Sequence, residues 1–521
     1  MARPFRSVGG LNPGRSVFDL SYEKKFSCDM GQLIPVMCDE VVPGDKFIMA
    51  NEIVIRFQPL VSPILHEINV YTHYFFVPYR LLWEDWEDFI TGGIDGEFAE
   101  ELPAWYPSST EVKSLWDYFG FPIGVLPEGR YPMDFPKRAY NMVYAEYYRD
   151  QNLYPLEGDE YENFIYENEN VLNRCWEKDY FTSALPWQQR GDIPALPVSG
   201  NVSAIWDHTI HSDVYVPESS YPNPIKVSKA YGAGTIPVFS EIEGLSNGWL
   251  NVPLTALTQS QDLNNNTVDL SKLATFDVAQ MRLAFQVQKW LERNARAGVR
   301  YTEFLKAHFG VHPRDDRLQR PEYIGGSKSP IIISEVLQTS ETANSPQGNM
   351  AGHGITADRT FVGKYSAQEF GLIIGIMSVM PRSAYQQGID RQWLRQSKFD
   401  FFFPEFVHLS EQPIEQVELY ATDDEEQNKT LFGYQGRYDE MRFKRNMVCG
   451  DMRESLNHWH LGRVFDQAPF LNQEFIECDP EQTKRIFAVE NENGLIVNFG
   501  NIIKAIRPLP VMAEPGLIDH N

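Results

Sequence analysis

The chain has 521 residues, room for two or three average domains or for one large β domain with long insertions. Its 46 lysines and arginines face 71 aspartates and glutamates, a formal charge of −25. That is the wrong sign for a protein that wraps nucleic acid unaided, since phosphate affinity comes mainly from Lys and Arg. The five cysteines, Cys28, Cys38, Cys175, Cys449 and Cys478, lack Cys-x-x-Cys spacing and read as reduced thiols rather than a disulfide or zinc framework. No apolar segment follows Met1-Ala-Arg-Pro-Phe-Arg6, and the apolar run Phe370 to Met380 is about half the length a spanning helix needs. A chain made and kept in a cytoplasm, without membrane insertion, is expected.

Residues 1 to 17 carry Arg3, Arg6 and Arg15 among glycines and prolines and predict an extended arm. Residues 26 to 77 predict strands, broken by the turn signal Val42-Pro-Gly-Asp45. Ile53, Ile55 and Phe57 alternate with polar neighbours, while Ile68 to Val77 is apolar or aromatic on both faces and so should be covered on both. Leu82, Trp86, Phe89 and Ile90 predict one short amphipathic helix, stopped by Gly92 and Gly93. From 81 to 199 the chain reads as short helices and loops. The aromatic residues between Lys137 and Tyr148 recur at helical spacing, and core packing explains them better than a ligand site.

Residues 200 to 275 shift to Ser, Thr, Asn, Pro and Gly and predict surface turns and short strands. Thr275 then offers an N-cap for a strong helix over 276 to 296. Its polar stripe is Arg282, Gln286, Lys289, Arg293 and Arg296, and Met281, Leu283, Phe285, Val287, Trp290 and Leu291 occupy most of the rest, so it should be clamped on more than one side. The basic stripe reads as a solvated or salt-bridged face. Further strands are expected at Pro330 to Val336, Gly371 to Val379, Arg485 to Val489, Gly494 to Phe499 and Ile502 to Ile506. Strands at both ends of a chain with long excursions between them fit a Greek-key sandwich.

Catalytic patterns are weak. Gly232-Ala-Gly234 lacks the context of a dinucleotide loop, and there is neither a Walker lysine motif nor a Gly-x-Ser-x-Gly elbow. His458-Trp-His460 would turn both imidazoles to one face of a strand, yet a pair without a third ligand reads as structural. Asp423-Asp-Glu-Glu426 and the acidic set Glu157, Asp159, Glu160, Glu162, Glu167 and Glu169 read as solvated surface. No catalytic residue, metal or cofactor is expected.

Several segments carry a family likeness. Phe18 to Lys25, Cys28-Asp-Met-Gly-Gln-Leu-Ile-Pro-Val-Met-Cys38, Val42 to Asp45 and Tyr74-Phe-Phe-Val-Pro-Tyr-Arg80 resemble the major capsid protein of small single-stranded DNA phages, family Microviridae, gokushovirus branch. So do Leu283 to Arg293, Arg300-Tyr-Thr-Glu303 and Leu318-Gln-Arg-Pro-Glu-Tyr323.

The resemblance implies a mainly β fold, an eight-stranded antiparallel jelly roll with long helical and loop insertions. It would run over 18–199 and 276–521, with the arm at 1–17 and a surface insertion at 200–275. It implies a homo-oligomeric T=1 icosahedral shell around a circular single-stranded DNA genome, found in the virion after assembly in the host bacterial cytoplasm. A small basic internal DNA-binding protein, internal scaffolding and DNA pilot proteins and a host-cell receptor are the implied partners. DNA contacts are expected at Arg3, Arg6, Arg15, Lys504 and Arg507. The insertion is expected to form a protrusion at the threefold axis, burying Trp206, Tyr215, Phe239 and Trp249 and serving host attachment. A jelly-roll carbohydrate-binding protein or enzyme is the rival reading, because 11 Trp, 25 Tyr and 33 Phe offer rings to sugars. A nonspecific single-strand DNA-binding protein conflicts with the charge.

Overall fold

The computed structural model describes residues 14–93, 98–124, 130–191, 204–205, 214–215, 226–227, 267–268, 278–297, 301–310, 314–337, 350–489 and 491–512. The chain divides into a larger unit, up to Arg190 and from Glu292 onward, and a smaller one, Gly191–Leu291.

The larger unit begins with β1 (Ser16–Asp19), β2 (Tyr22–Cys28), β3 (Ile34–Val41), β4 (Lys46–Phe57) and β5 (Ile68–Pro78). In the smaller unit, β6 (Ala204–Ile205) pairs β9 (Thr267–Val268), and β7 (Val214–Tyr215) pairs β8 (Lys226–Val227). The larger unit resumes with β10 (Glu322–Pro330), β11 (Ile332–Leu337), β12 (Met350–Ser366), β13 (Gly371–Pro381), β14 (Glu411–Glu415), β15 (Leu431–Gly436) and β16 (Leu495–Arg507).

One sheet runs β1-β16-β4-β12-β11, with β2 sharing the β16 edge beyond β1, and the other runs β10-β5-β13-β3. Number β2, β3, β4, β5, β10, β12, β13 and β16 from first to eighth. The first sheet then reads first, eighth, third, sixth and the second reads fifth, fourth, seventh, second, with every pairing antiparallel. This interleaving is the jelly roll.

The alternation expected for β4 and β5 holds. Ile53, Ile55 and Phe57 are buried between the sheets, as are Val70, Tyr74 and Phe76 from β5. Phe75 and Val77, on the other face of β5, pack under the helix Phe135–Val143 with Tyr140, Val143 and Tyr144. The Lys137 to Tyr148 aromatics are therefore core, and a π-helical turn, Tyr144–Tyr148, ends the run. The predicted turn forms as Asp45 N–H donates to the Val42 carbonyl at 3.1 Å, with Gly44 at φ +92°. Polar clasps also cross the sandwich: Asn51 Nδ2 donates to Thr72 Oγ1 at 3.0 Å and Asn501 Nδ2 to the Val36 carbonyl at 3.0 Å.

Four expectations need correction. The single helix after β5 is two short ones, Tyr79–Leu82 and Trp86–Thr91, broken at the extended Trp83, and Ile90 is exposed; Gly92 does end the second in a left-handed conformation. Arg485 to Val489 is not a strand: a 3-10 turn runs over Pro480–Ile486, and only Phe487 bridges to Leu60. The two C-terminal runs are one continuous strand, β16. The helix Val278–Ala297 exposes Leu283, Phe285 and Trp290 in the single chain, so its clamping is not met there, and Thr275 lies outside the described residues.

Candidate functional site

The cations expected at DNA separate into three groups. Arg3 and Arg6 lie outside the described residues. Arg15 and Lys504 are exposed, and β1 lays them along the end of β16, with Ser16 opposite Arg507 and Asp19 opposite Lys504. Arg507 is different. Its Nε donates to Asp45 Oδ2 at 3.0 Å, and Nη2 donates to the Glu40 carbonyl at 2.5 Å. Its head is committed to a fully buried carboxylate, which gives it a structural anchoring role.

Of the four aromatic residues expected at a threefold axis, Trp206, Phe239 and Trp249 lie outside the described residues. Tyr215 belongs to the short ladder opposite Lys226.

The other singled-out motifs resolve as structure. His458 sits in a 3-10 turn, not a strand, while buried His460 shares a 2.7 Å hydrogen bond through Nε2 with the Met452 carbonyl and accepts the Gly462 N–H at Nδ1. Burial lowers the His460 pKa, and no group of three or more metal-ligating side chains occurs among the described residues. Asp424 caps the short helix Glu425–Asn428 in an exposed loop. Glu169 is not free surface: it accepts Trp105 Nε1 at 3.0 Å and the Ser108 N–H at 2.6 Å, beside Lys137 at 3.8 Å. Burial would raise its pKa, but these donors hold it below the ordinary carboxylate value. Among the described residues no helix is long and apolar enough to cross a membrane.

Two surfaces were not legible beforehand. The first is a cleft of about 870 Å³ over the outer face of β5 and β10, walled by His73, Phe75, Tyr147, Tyr148 and Tyr323. Its cations are engaged: Arg174 lies over the Tyr71 ring at 4.1 Å and bonds Ser378 Oγ, and Arg320 pairs with Asp315. His73, hydrogen-bonded through Nδ1 to the Tyr148 hydroxyl at 2.8 Å, is held neutral by burial and by Arg174, its pKa down to about 4. This site offers ring faces and fixed charges for packing.

The second is an aromatic ribbon. Trp393, Phe399, Phe401, Phe402 and Phe403 stand exposed, Trp393 at 75%, and Phe443 and Met447 are exposed as well. Short 3-10 turns, Lys398–Asp400 and Pro404–Phe406, present the ring-rich segment, and Asp400 closes a capping box on Ser397. The sequence signal was the run Phe399-Asp-Phe-Phe-Phe-Pro404, which has neither helical nor strand periodicity to hide its rings.

A family model described as capsid protein (F protein) matches residues 8–517. The capsid protein VP1 of Chlamydia phage 1 is 33% identical over 99% of this chain and 98% of its own length. The VP1 proteins of Bdellovibrio phage phiMH2K and Spiroplasma virus 4 are 32% and 30% identical, each covering 98% of this chain and 97% of the relative. With an end-to-end match lying over jelly-roll strand order, this chain belongs to the phage capsid protein (F protein) family, in the gokushovirus branch of the Microviridae.

Proposed function

We propose that copies of this capsid protein close into a T=1 icosahedral shell around a circular single-stranded DNA genome, assembled in the host bacterial cytoplasm. The observation that carries the reading is the aromatic ribbon. Monomeric soluble proteins rarely leave contiguous apolar patches above a few hundred Å² uncovered, and burying one large apolar side chain contributes roughly 1.5–3 kcal/mol. Phe399, Phe401, Phe402 and Phe403 are each about half exposed, so a neighbouring copy that covers them gains apolar burial that counts toward the entropic cost of association. Repeated contacts that close by rotation then generate rings rather than filaments.

The acidic total charge supports a division of labour. Arg3, Arg6, Arg15 and Lys504 contact DNA, a small basic internal protein supplies most of the neutralisation, and scaffolding and pilot proteins assist assembly. The segment 200–275, loop-like in composition, forms the threefold protrusion used in host attachment. Its insertion costs little, because loop-closure entropy grows only logarithmically with length.

The test is the double variant Phe401→Ser with Phe443→Ser. It should keep the subunit's circular dichroism yet yield no closed particles by sedimentation and negative-stain microscopy. Particles at undiminished yield would remove the ribbon's role, and a wild-type protein that stays a compact monomer under all assembly conditions would reject the shell. Deleting 201–274 should leave smooth shells that adsorb poorly to cells.

A further inference from the structure

The two outer faces of the sandwich are finished differently. The β10-β5-β13-β3 sheet is covered by the unit's own helices, through Phe135, Ala139, Tyr140 and Val143 on Phe75, Val77, Leu372 and Ile374. On the β2-β16-β4-β12 sheet outward apolar side chains stay exposed, Ile355, Phe361 and Ile496 among them.

Cations collect on that bare face. The registers place Lys364 of β12 and Lys504 of β16 on either side of Ile48 of β4, and Lys46 lies two residues from Ile48 on the same face. At ordinary sheet spacings the lysine pair is about 10 Å apart and Lys46 about 7 Å along the strand from their row. Arg56 and Arg359 extend the set. All five are exposed, and among the described residues none forms an ion pair, even though Glu52 is the strand partner of Arg359. Elsewhere this acidic chain pairs its cations readily, as in Arg80 with Glu369, Arg382 with Glu67 and Arg391 with Glu418.

Unpaired, solvated ammonium groups on a flat sheet suit a flexible polyanion. A second copy would have to bring carboxylates into register and desolvate them, a cost that often exceeds the Coulombic gain. A single-stranded nucleic acid keeps its phosphates hydrated, releases counterions, and lays bases on apolar platforms. Phe361, 58% exposed and next to the lysine row on β12, is such a platform.

We infer that the bare outer face of the β2-β16-β4-β12 sheet is the surface on which the shell holds its single-stranded nucleic acid, with Lys46, Lys364 and Lys504 on phosphates and Phe361 under a base. The inference deepens the shell reading and rests on it.

The test combines Lys46→Ala, Lys364→Ala and Lys504→Ala, with Lys429→Ala as a control on a cation paired with Glu425. With single-stranded oligonucleotide and purified wild-type or variant subunits, the slope of log affinity against log salt should fall by about 2 in the triple variant, at about 0.7 per lost phosphate contact. Particles of normal size should form with less DNA, and Lys429→Ala should change neither readout. An unchanged slope with full DNA content overturns the inference while leaving the shell reading intact. Loss of particles by a folded triple variant with an unchanged slope also overturns it, assigning the face to a subunit contact. If even the wild type forms no particle, the shell reading fails, and the subunit salt slope still decides whether this face binds nucleic acid.

Discussion

Arg507 Nε donates to Asp45 Oδ2 at 3.0 Å, joining the last residue of β16 to the turn before β4 across 462 positions of chain. Asp45 is completely buried, and the same oxygen accepts the Val42 N–H at 3.0 Å. Removing the guanidinium strands a buried carboxylate, which costs about 3–5 kcal/mol. Arg507→Ala should therefore lower the subunit's thermal midpoint strongly, and Arg507→Lys should recover only part, since a point charge does not reproduce the fork. In a double-mutant cycle with Asp45→Asn the double variant should lose less stability than the sum of the two single losses. Additive losses would show that the pair does not act as a unit.

Gly31 has φ +90°, and a Cβ there would lie 2.3 Å from the Cys478 carbonyl oxygen. Its backbone is also held, donating to the Val379 carbonyl at 2.9 Å and accepting from Arg174 N–H at 2.7 Å. Backbone strain and a backbone clash then act together, so Gly31→Ala should destabilise the subunit by more than about 2 kcal/mol in urea unfolding. A loss below 1 kcal/mol would mean that this junction is free to move.

Acid should weaken the subunit below about pH 6.5. Burial depresses both His73 and His66 to about 4, so between those values the unfolded chain takes up protons that the folded chain refuses. Stability is complete above the unfolded pKa and falls until about pH 4, by on the order of 2 kcal/mol for His73. Asp39 works in the opposite sense: burial raises it to about 6 despite Arg507, so its contribution grows in acid. His73→Phe should flatten the decline measured by denaturant midpoints between pH 6.5 and 4, and an unchanged profile would show that His73 is not buried neutral.

Thiol chemistry should single out Cys449. Cys28 and Cys478 are buried, and burial raises the thiols of Cys38, Cys175 and Cys478 to about 12. A maleimide at pH 8 should label exposed Cys449 alone in the folded subunit, read by peptide mass spectrometry, and the other four should react after unfolding. Labelling of Cys28 before unfolding would contradict the packing between the sheets.

The sequence by itself determined what local physics sets. The two-faced burial of β5, the Val42 to Asp45 turn and the aromatic helix after Lys137 all follow from side-chain period and turn chemistry within a dozen residues, and the dispersed capsid-like segments carried the family. Tertiary structure alone decided what depends on remote partners. β12 went unread because Thr356, Ala357, Asp358, Arg359 and Thr360 have no apolar run, and they become strand only by pairing with β4, some three hundred positions earlier in the chain. Arg507 looked like a free cation because nothing within its own segment showed Asp45 beneath it. The aromatic residues from Phe399 to Phe403 have no periodicity that assigns them a side, and 3-10 turns and a capping box turn them outward. Periodicity states which side of an element is apolar; only the arrangement of the other elements settles whether that side is covered by this chain.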